Sequence, residues 1–233
     1  LEKAWARDPI SMPRVMAELR SATPAQALIV EESITASTDF AAAFVLDAAD
    51  QYLGARGGGI GQGLAGAIGA SLAHPGRPVL CVSGDGSAMY SIQALWTAAR
   101  YRLPIVFAIL ANREYRVLKH NLDIYRQRFD AASARPYPEM DLGAPTLGFV
   151  ELAAGMGVPG VRVTRGQDIG QAQMGHQVGG DRLARVRAAI VEAVDGGRAG
   201  VEMDLVPAVM DGRPAGQVVQ VERARRRLER PVD

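Results

Sequence analysis

The sequence predicts an α/β fold: a doubly wound, mainly parallel sheet with helices on both faces. Three observations predict it. Short apolar runs rich in β-branched residues alternate with longer amphipathic or Ala-rich stretches, the pattern of βαβ units. Hydrophobic residues make up 48% of the 233 positions and charged residues 22%, enough for a sizeable core and far from a disordered composition. The 26 glycines cluster between the periodic segments instead of spreading through them.

Each element follows from local pattern. Ser11 with Pro13 behind it opens a helix to about Arg20. Ala27 to Val30 reads as a strand and Phe40 to Ala49 as a helix. Gly57 to Gly59 is a turn, followed by a small-residue helix from Ile60 to Ala73. Val79 to Ser83 is a buried strand, Tyr90 to Tyr101 a helix, and Ile105 to Leu110 a second buried strand. Arg113 to about Tyr125 is helical. Ala131 to Pro145 carries three prolines and little periodicity, so it reads as a long loop of the kind that serves as a lid or binding loop. Phe149 to Met156 is a helix, Val161 to Val163 a strand, Asp181 to Val194 a helix, and Val201 to Leu205 a last strand. Gly166 to Gly180, rich in Gly and Gln, reads as irregular. One domain is expected over residues 1–210, with an Arg-rich tail at 211–233 that reads as solvated.

Composition narrows the function. A net charge of +1 gives no reason to expect a nucleic-acid partner. No apolar run approaches the roughly 20 residues that a membrane span needs, and no signal peptide is visible. A single cysteine, Cys81, makes no internal disulfide, which points to a reducing, cytoplasmic setting. Leu1, where Met would stand, suggests a piece of a longer polypeptide.

The strongest local feature is Val79-Leu80-Cys81-Val82-Ser83-Gly84-Asp85-Gly86-Ser87. A buried strand runs straight into Gly-Asp-Gly-Ser, and ligands of parallel sheets sit outside the strands' carboxyl ends. The Gly86 amide and the Ser87 hydroxyl can donate to phosphate oxygens at a helix N-terminus. Alternatively, Asp85 simply caps the helix. The next strand ends in Ala111-Asn112-Arg113-Glu114-Tyr115, which sets Asp85 beside Asn112. A carboxylate and an amide oxygen are hard ligands that suit Mg²⁺, with phosphate oxygens and water completing the octahedron. A backbone carbonyl just past Asn112 is a possible third protein ligand.

Gly84-Asp85-Gly86 followed by Asn112 resembles the thiamine-diphosphate motif of decarboxylases and acetohydroxyacid synthases. The intervening Ser91-Ile92-Gln93-Ala94-Leu95-Trp96-Thr97-Ala98-Ala99 is similar to benzoylformate decarboxylases, and the resemblance runs from about Glu31 to about Leu205. It implies a thiamine-diphosphate-binding fold with Mg²⁺ held by Asp85, Asn112 and the Glu114 carbonyl. Diphosphate contacts are implied from Gly86, Ser87, the Tyr115 amide and Thr35, although Ser37 in the same segment fits a helix-capping role equally well. It further implies that the Gly58 carbonyl accepts from the aminopyrimidine and that Ile60 wedges the cofactor into a bend; Ile60 is also a plausible core residue. Two departures stand out: Ala111 replaces the first of the family's paired asparagines, and Arg113 and Glu114 are bulkier than the residues usual there.

The implied activity is non-oxidative decarboxylation of a 2-keto acid, with the cofactor as electron sink. The implied partner is a pyrimidine-binding domain or subunit carrying the activating glutamate, in a homodimer or homotetramer. Glu32 does not match that glutamate's surroundings. Three alternatives stay open: an acetolactate-synthase-like carboligase, a non-catalytic cofactor-binding subunit, and a dehydrogenase. The last rests on Gly61-x-Gly63-x-x-Gly66 alone, which is a weak signal. Val117, Leu118 and Asn121 are substrate-facing candidates by helix position, as is His120. His74 reads as a surface turn residue, His176 as structural or exposed, and Cys81 as inert core.

Overall fold

The computed structural model describes residues 10–46, 48–131, 133, 137–174, 187–191 and 193–194. Helix α1 (Met12–Ala22) begins with Pro13 in its first turn, where a missing N–H costs nothing. Strand β1 (Leu28–Glu32) leads through a 3₁₀ turn at Ile34–Ala36 into α2 (Ser37–Ala43). Strand β2 (Tyr52–Gly54) precedes α3 (Gln62–Ala73), β3 (Val79–Gly84), the short α4 (Asp85–Met89) and α5 (Ala94–Tyr101). Then come β4 (Ile105–Leu110), α6 (Arg116–Phe129), α7 (Phe149–Gly155), β5 (Gly160–Val163), α8 (Ile169–Met174) and β6 (Arg187–Val191).

Six strands form one sheet in the order β2-β1-β3-β4-β6-β5, and every pair is parallel. Parallel strands need a covering layer on each face, because crossover connections place helices there. Two core clusters answer that need. One gathers Leu28, Val30, Cys81, Ile105, Phe107 and Ile109 against α3, α5 and α7. The other gathers Ile29, Leu80, Val82, Ala108 and Leu110 against α1, α2 and α8. Alternate residues of β1 thus serve opposite faces, as strand geometry requires. Cys81 is buried in the first cluster, and burial pushes its thiol well above the ordinary range. The inert-core reading of Cys81 fits this environment.

The register decides where the ligand end of the sheet lies. Glu32 pairs with Ser83, and Gly84 pairs with Leu110, so the carboxyl ends of β1, β3 and β4 finish level. The loops that follow all leave from one edge, which is where the candidate residues collect.

Several expectations from the sequence are corrected. The helix read from Asp181 to Val194 contains β6, a strand paired with β4 on one side and β5 on the other. Its Ala- and Arg-rich sequence suits a helix, but hydrogen bonding to two neighbouring strands overrides that propensity. Strand β2 arises where no strand was read. It is a short, exposed edge strand tied to β1 at Ile29, Val30 and Glu31. The helix expected to reach Ala49 ends at Ala43, where Phe44 turns inward and stacks on Phe40 at 4.4 Å between ring centroids. The helix from Tyr90 begins only at Ala94, and the one from Arg113 begins at Arg116, because Arg113 has φ 62°. Gly166–Asp168 forms a 3₁₀ turn leading into α8, where irregular chain was expected. The expected strand at Val201 to Leu205, the tail at 211–233 and His176 lie outside the described residues. Among the described residues no helix is long and apolar enough to cross a membrane.

Phe107 is fully buried in the middle of the central strand pair. Phe107→Ala is expected to destabilise the fold by about 3–5 kcal/mol through lost burial and a residual cavity. Urea unfolding followed by circular dichroism measures this.

Candidate cofactor and metal site

The end of β3 builds the centre of the site. Asp85 begins α4 and is 3% exposed. Its carboxylate is held from two directions: the Gly86 amide donates to Oδ1 at 2.8 Å, and the Arg113 amide donates to Oδ2 at 2.6 Å. The second bond ties the loop after β3 to the loop after β4. Burial pushes the Asp85 carboxyl above the ordinary aspartate range, while the Arg113 and Gly86 amides pull it back and the nearby Glu114 charge raises it.

Asn112 follows β4, and its Oδ1 accepts from the Glu114 amide at 3.1 Å, a local turn that fixes the side chain. Glu114 directs its carboxylate to Arg116 and Lys119, both at 2.5 Å. Residues beyond α6 lie against this loop. The Tyr115 amide donates to the Met140 carbonyl at 2.9 Å, the Leu142 amide donates to the Arg113 carbonyl at 2.7 Å, and Lys119 also reaches Asp141 at 2.6 Å. The segment expected as a binding loop is therefore a strap on the Asn112–Tyr115 turn.

These residues face an open cleft of about 500 Å³. Of the sequence-predicted residues, Thr35, Ile60, Asp85, Gly86, Ser87, Asn112, Glu114 and Tyr115 all line it. Gly58 does not. It lies outside the lining, with φ 71° in the turn before Ile60. Val117 lines the cleft, whereas Leu118, Asn121 and His120 are exposed on α6 and outside it. The Tyr115 amide, expected as a diphosphate donor, is committed to Met140. Its ring instead packs over Gly86, where an added Cβ would lie 2.6 Å from Tyr115 Cε1. His74 is exposed at the end of α3, as the sequence reading expected.

The glycine-rich segment has a structural explanation. Gly61 has φ 97°, and a Cβ there would lie 2.5 Å from Tyr90 Cβ. Gly63 lies against Glu32, and a Cβ would stand 3.0 Å from Glu32 Cβ and Oε2. The buried Glu32 carboxylate accepts the Gln62 amide at 2.9 Å and the Gly63 amide at 3.0 Å, the first N–H groups of α3. The fingerprint thus meets the needs of a carboxylate-capped helix, and the dehydrogenase reading loses its only support.

Sequence reasoning missed the part played by Glu31. Its Oε1 accepts the Ser33 amide at 2.7 Å, the Ser33 hydroxyl, and the Ser37 hydroxyl at 2.9 Å, while Oε2 accepts the Tyr52 hydroxyl at 3.0 Å. Burial, then Glu31 itself, pushes the Tyr52 phenol far up. Ser37 is therefore bonded to Glu31 and makes no side-chain cap of α2. The signal was present: two consecutive carboxylates ending a wholly buried strand.

The donor set fits a hard cation bound together with a phosphate. Each Asp85 oxygen and the Asn112 oxygen accept one protein hydrogen bond, which leaves lone-pair capacity on all three. Among the described residues no group of three or more His, Cys, Asp or Glu side chains forms a metal cage. An amide, a carbonyl and ligand oxygens would have to complete such a site, as Mg²⁺ permits.

Comparison with known proteins decides the family. Residues 34–186 match the model for the thiamine pyrophosphate enzyme, C-terminal TPP binding domain. The chain belongs to this thiamine pyrophosphate enzyme family. A Mycobacterium tuberculosis protein provisionally named acetolactate synthase large subunit IlvX is 40% identical over 153 residues, covering 64% of this chain and 29% of that protein. The benzoylformate decarboxylase of Pseudomonas aeruginosa is 33% identical over 174 residues, covering 75% of this chain and 31% of the enzyme. The solved thiamine diphosphate-dependent 4-hydroxybenzoylformate decarboxylase of Rhodococcus jostii RHA1 superposes with a TM-score of 0.70 at 31% identity, covering 82% of this chain and 34% of that one. The part of these proteins that this chain matches is thus about a third of their length. The expected thiamine-diphosphate-binding fold is the fold observed.

The glycine segment offers a test. Gly61→Ala combines a left-handed φ with a clash against Tyr90 and is expected to cost about 1–3 kcal/mol. Gly59→Ala meets only the Gln62 side-chain nitrogen Nε2 at 3.8 Å, so it should stay within about 0.5 kcal/mol of the parent. Paired denaturant melts measure the contrast.

Proposed function

We propose that this chain supplies the Mg²⁺-diphosphate anchor of a thiamine-diphosphate-dependent enzyme that decarboxylates a 2-keto acid, in the manner of benzoylformate decarboxylases. The observation that carries the proposal is the pairing of Asp85 and Asn112 at level strand ends, locked by the Arg113 amide bond to Asp85. When bound, the cofactor supplies an electron sink for the bond that releases CO₂. The chain's own residues hold and orient. Asp85, Asn112 and the Glu114 carbonyl would hold Mg²⁺, and Ser87 and Thr35 would receive the diphosphate at the start of α4, beside Gly86, whose own amide is bonded to Asp85. Ile60 and Tyr115 line the same cleft, and they would shape the cofactor's path.

The pyrimidine end requires an activating glutamate from a second domain or subunit, and we place that group outside this chain. Glu31 and Glu32 are both engaged in holding loops. A homodimer or homotetramer in the cytoplasm is part of the same proposal. The 40% identity to the acetolactate synthase-type relative favours a second reading, in which the same anchor serves a carboligase. In a complete assembly, benzaldehyde from benzoylformate supports the decarboxylase; acetolactate from pyruvate with no benzaldehyde supports the carboligase.

Thiamine diphosphate should bind this chain only in the presence of Mg²⁺. Asp85→Ala should abolish binding, because the substitution removes the carboxylate and frees the Arg113 amide. Fluorescence titration with and without EDTA measures both. Binding that survives chelation and the substitution would remove the metal assignment.

A further inference from the structure

Strand β1 ends in two buried carboxylates, Glu31 at 5% and Glu32 at 1% exposure. Neighbouring residues of a strand point to opposite faces. Glu31 therefore shares the face of Ile29 with α2, and Glu32 shares the face of Val30 with α3. Each carboxylate holds a different loop of the cleft. Glu31 gathers Ser33, Ser37 and Tyr52 around the turn that presents Ile34 and Thr35. Inside that turn Ile34 has φ 51°, a conformation that a β-branched residue adopts only when its surroundings impose it. Glu32 takes the first amides of α3 and so fixes the loop that presents Ile60.

We propose that Glu31 and Glu32 are a pair of positioning residues, Glu31 setting the loop at the diphosphate end of the cleft and Glu32 setting the loop at the ring end. The inference rests on the thiamine-diphosphate reading above. Neither carboxylate lines the cleft; each acts through the loop it holds.

The hydrogen-bond chemistry makes the two residues respond differently to the same conservative change. Glu31 faces one hydroxyl at Oε2, and a hydroxyl can accept as well as donate. Glu31→Gln can keep its oxygen toward Ser33 and Ser37 and donate from its nitrogen to Tyr52. Glu32 faces a backbone N–H at each oxygen. Glu32→Gln must therefore set a donor against a donor and leave one buried amide unsatisfied.

The test uses the full chain with two probes, thiamine diphosphate with Mg²⁺ and inorganic diphosphate with Mg²⁺, both titrated calorimetrically. Melting curves confirm that each variant is folded. Glu31→Ala should weaken both probes about tenfold, and Glu31→Gln should restore them to within about twofold of the parent. Glu32→Gln should weaken thiamine diphosphate about tenfold and leave inorganic diphosphate within about twofold. If Glu31→Ala does not fold, Ser37→Ala takes its place: it removes one of the three bonds to Oε1 and should weaken both probes measurably.

A general loss of structure would reduce both probes equally in every variant, without rescue by Glu31→Gln, and that result overturns the inference. So does unchanged affinity in Glu31→Ala (or its Ser37→Ala substitute) and in Glu32→Gln, while the parent's own binding leaves the proposed function standing. A parent chain that binds neither probe removes the functional reading itself, and the inference with it.

Discussion

A buried carboxylate at the carboxyl end of a parallel strand, accepting backbone N–H groups from the loops beyond it, is the interaction on which this site is built. It occurs three times at the ends of two strands. Glu31 takes the Ser33 amide, Glu32 takes those of Gln62 and Gly63, and Asp85 takes those of Gly86 and Arg113. A charge taken out of water is costly unless it is well bonded, and charge-assisted bonds to backbone amides are among the stronger ones available. The loops consequently have little freedom, and each is fixed at the edge where the strands finish level.

Asp85 differs from the other two in what surrounds it. Glu31 and Glu32 turn their oxygens to donors within the chain. Asp85 has two amide bonds and the cleft in front of it. Burial raises its carboxyl and Glu114 adds to the effect, while the amides oppose both. A carboxylate so perturbed beside an open cleft is a candidate functional group. Glu114 would be a poor neighbour on charge alone, yet its carboxylate is turned aside to Arg116 and Lys119.

The same turn holds a strained backbone in place. Arg113 occupies a left-handed conformation, which costs a side-chain-bearing residue about 1–2 kcal/mol. Its amide donates to Asp85 and its carbonyl accepts the Leu142 amide, and these bonds hold the turn. The strap from Met140 to Leu142 therefore stabilises the turn that presents Asn112, linking a loop far along the chain to the residues that line the cleft.

Much of this was legible in the sequence because it depends on local order. Apolar runs ending in Gly84-Asp85 and Leu110-Ala111-Asn112 place the chemistry at strand ends once the strands are parallel, and parallel strands follow from their alternation with helices. The cleft-lining positions from Thr35 to Tyr115 were named from those motifs and from family resemblance. What the tertiary structure decided depends on partners distant in sequence. Strand β6 forms because β4 and β5 lie on either side of it, whatever its Ala-rich sequence prefers. Gly61 and Gly63 answer to Tyr90 and Glu32, whose positions no local window contains. The Tyr115 amide is claimed by Met140 across the strap. The sequence by itself determined which chemical groups stand at the sheet's edge. Only the fold decided which of their hydrogen bonds are spent inside the chain and which remain for a ligand, because that division depends on contacts between residues far apart in sequence.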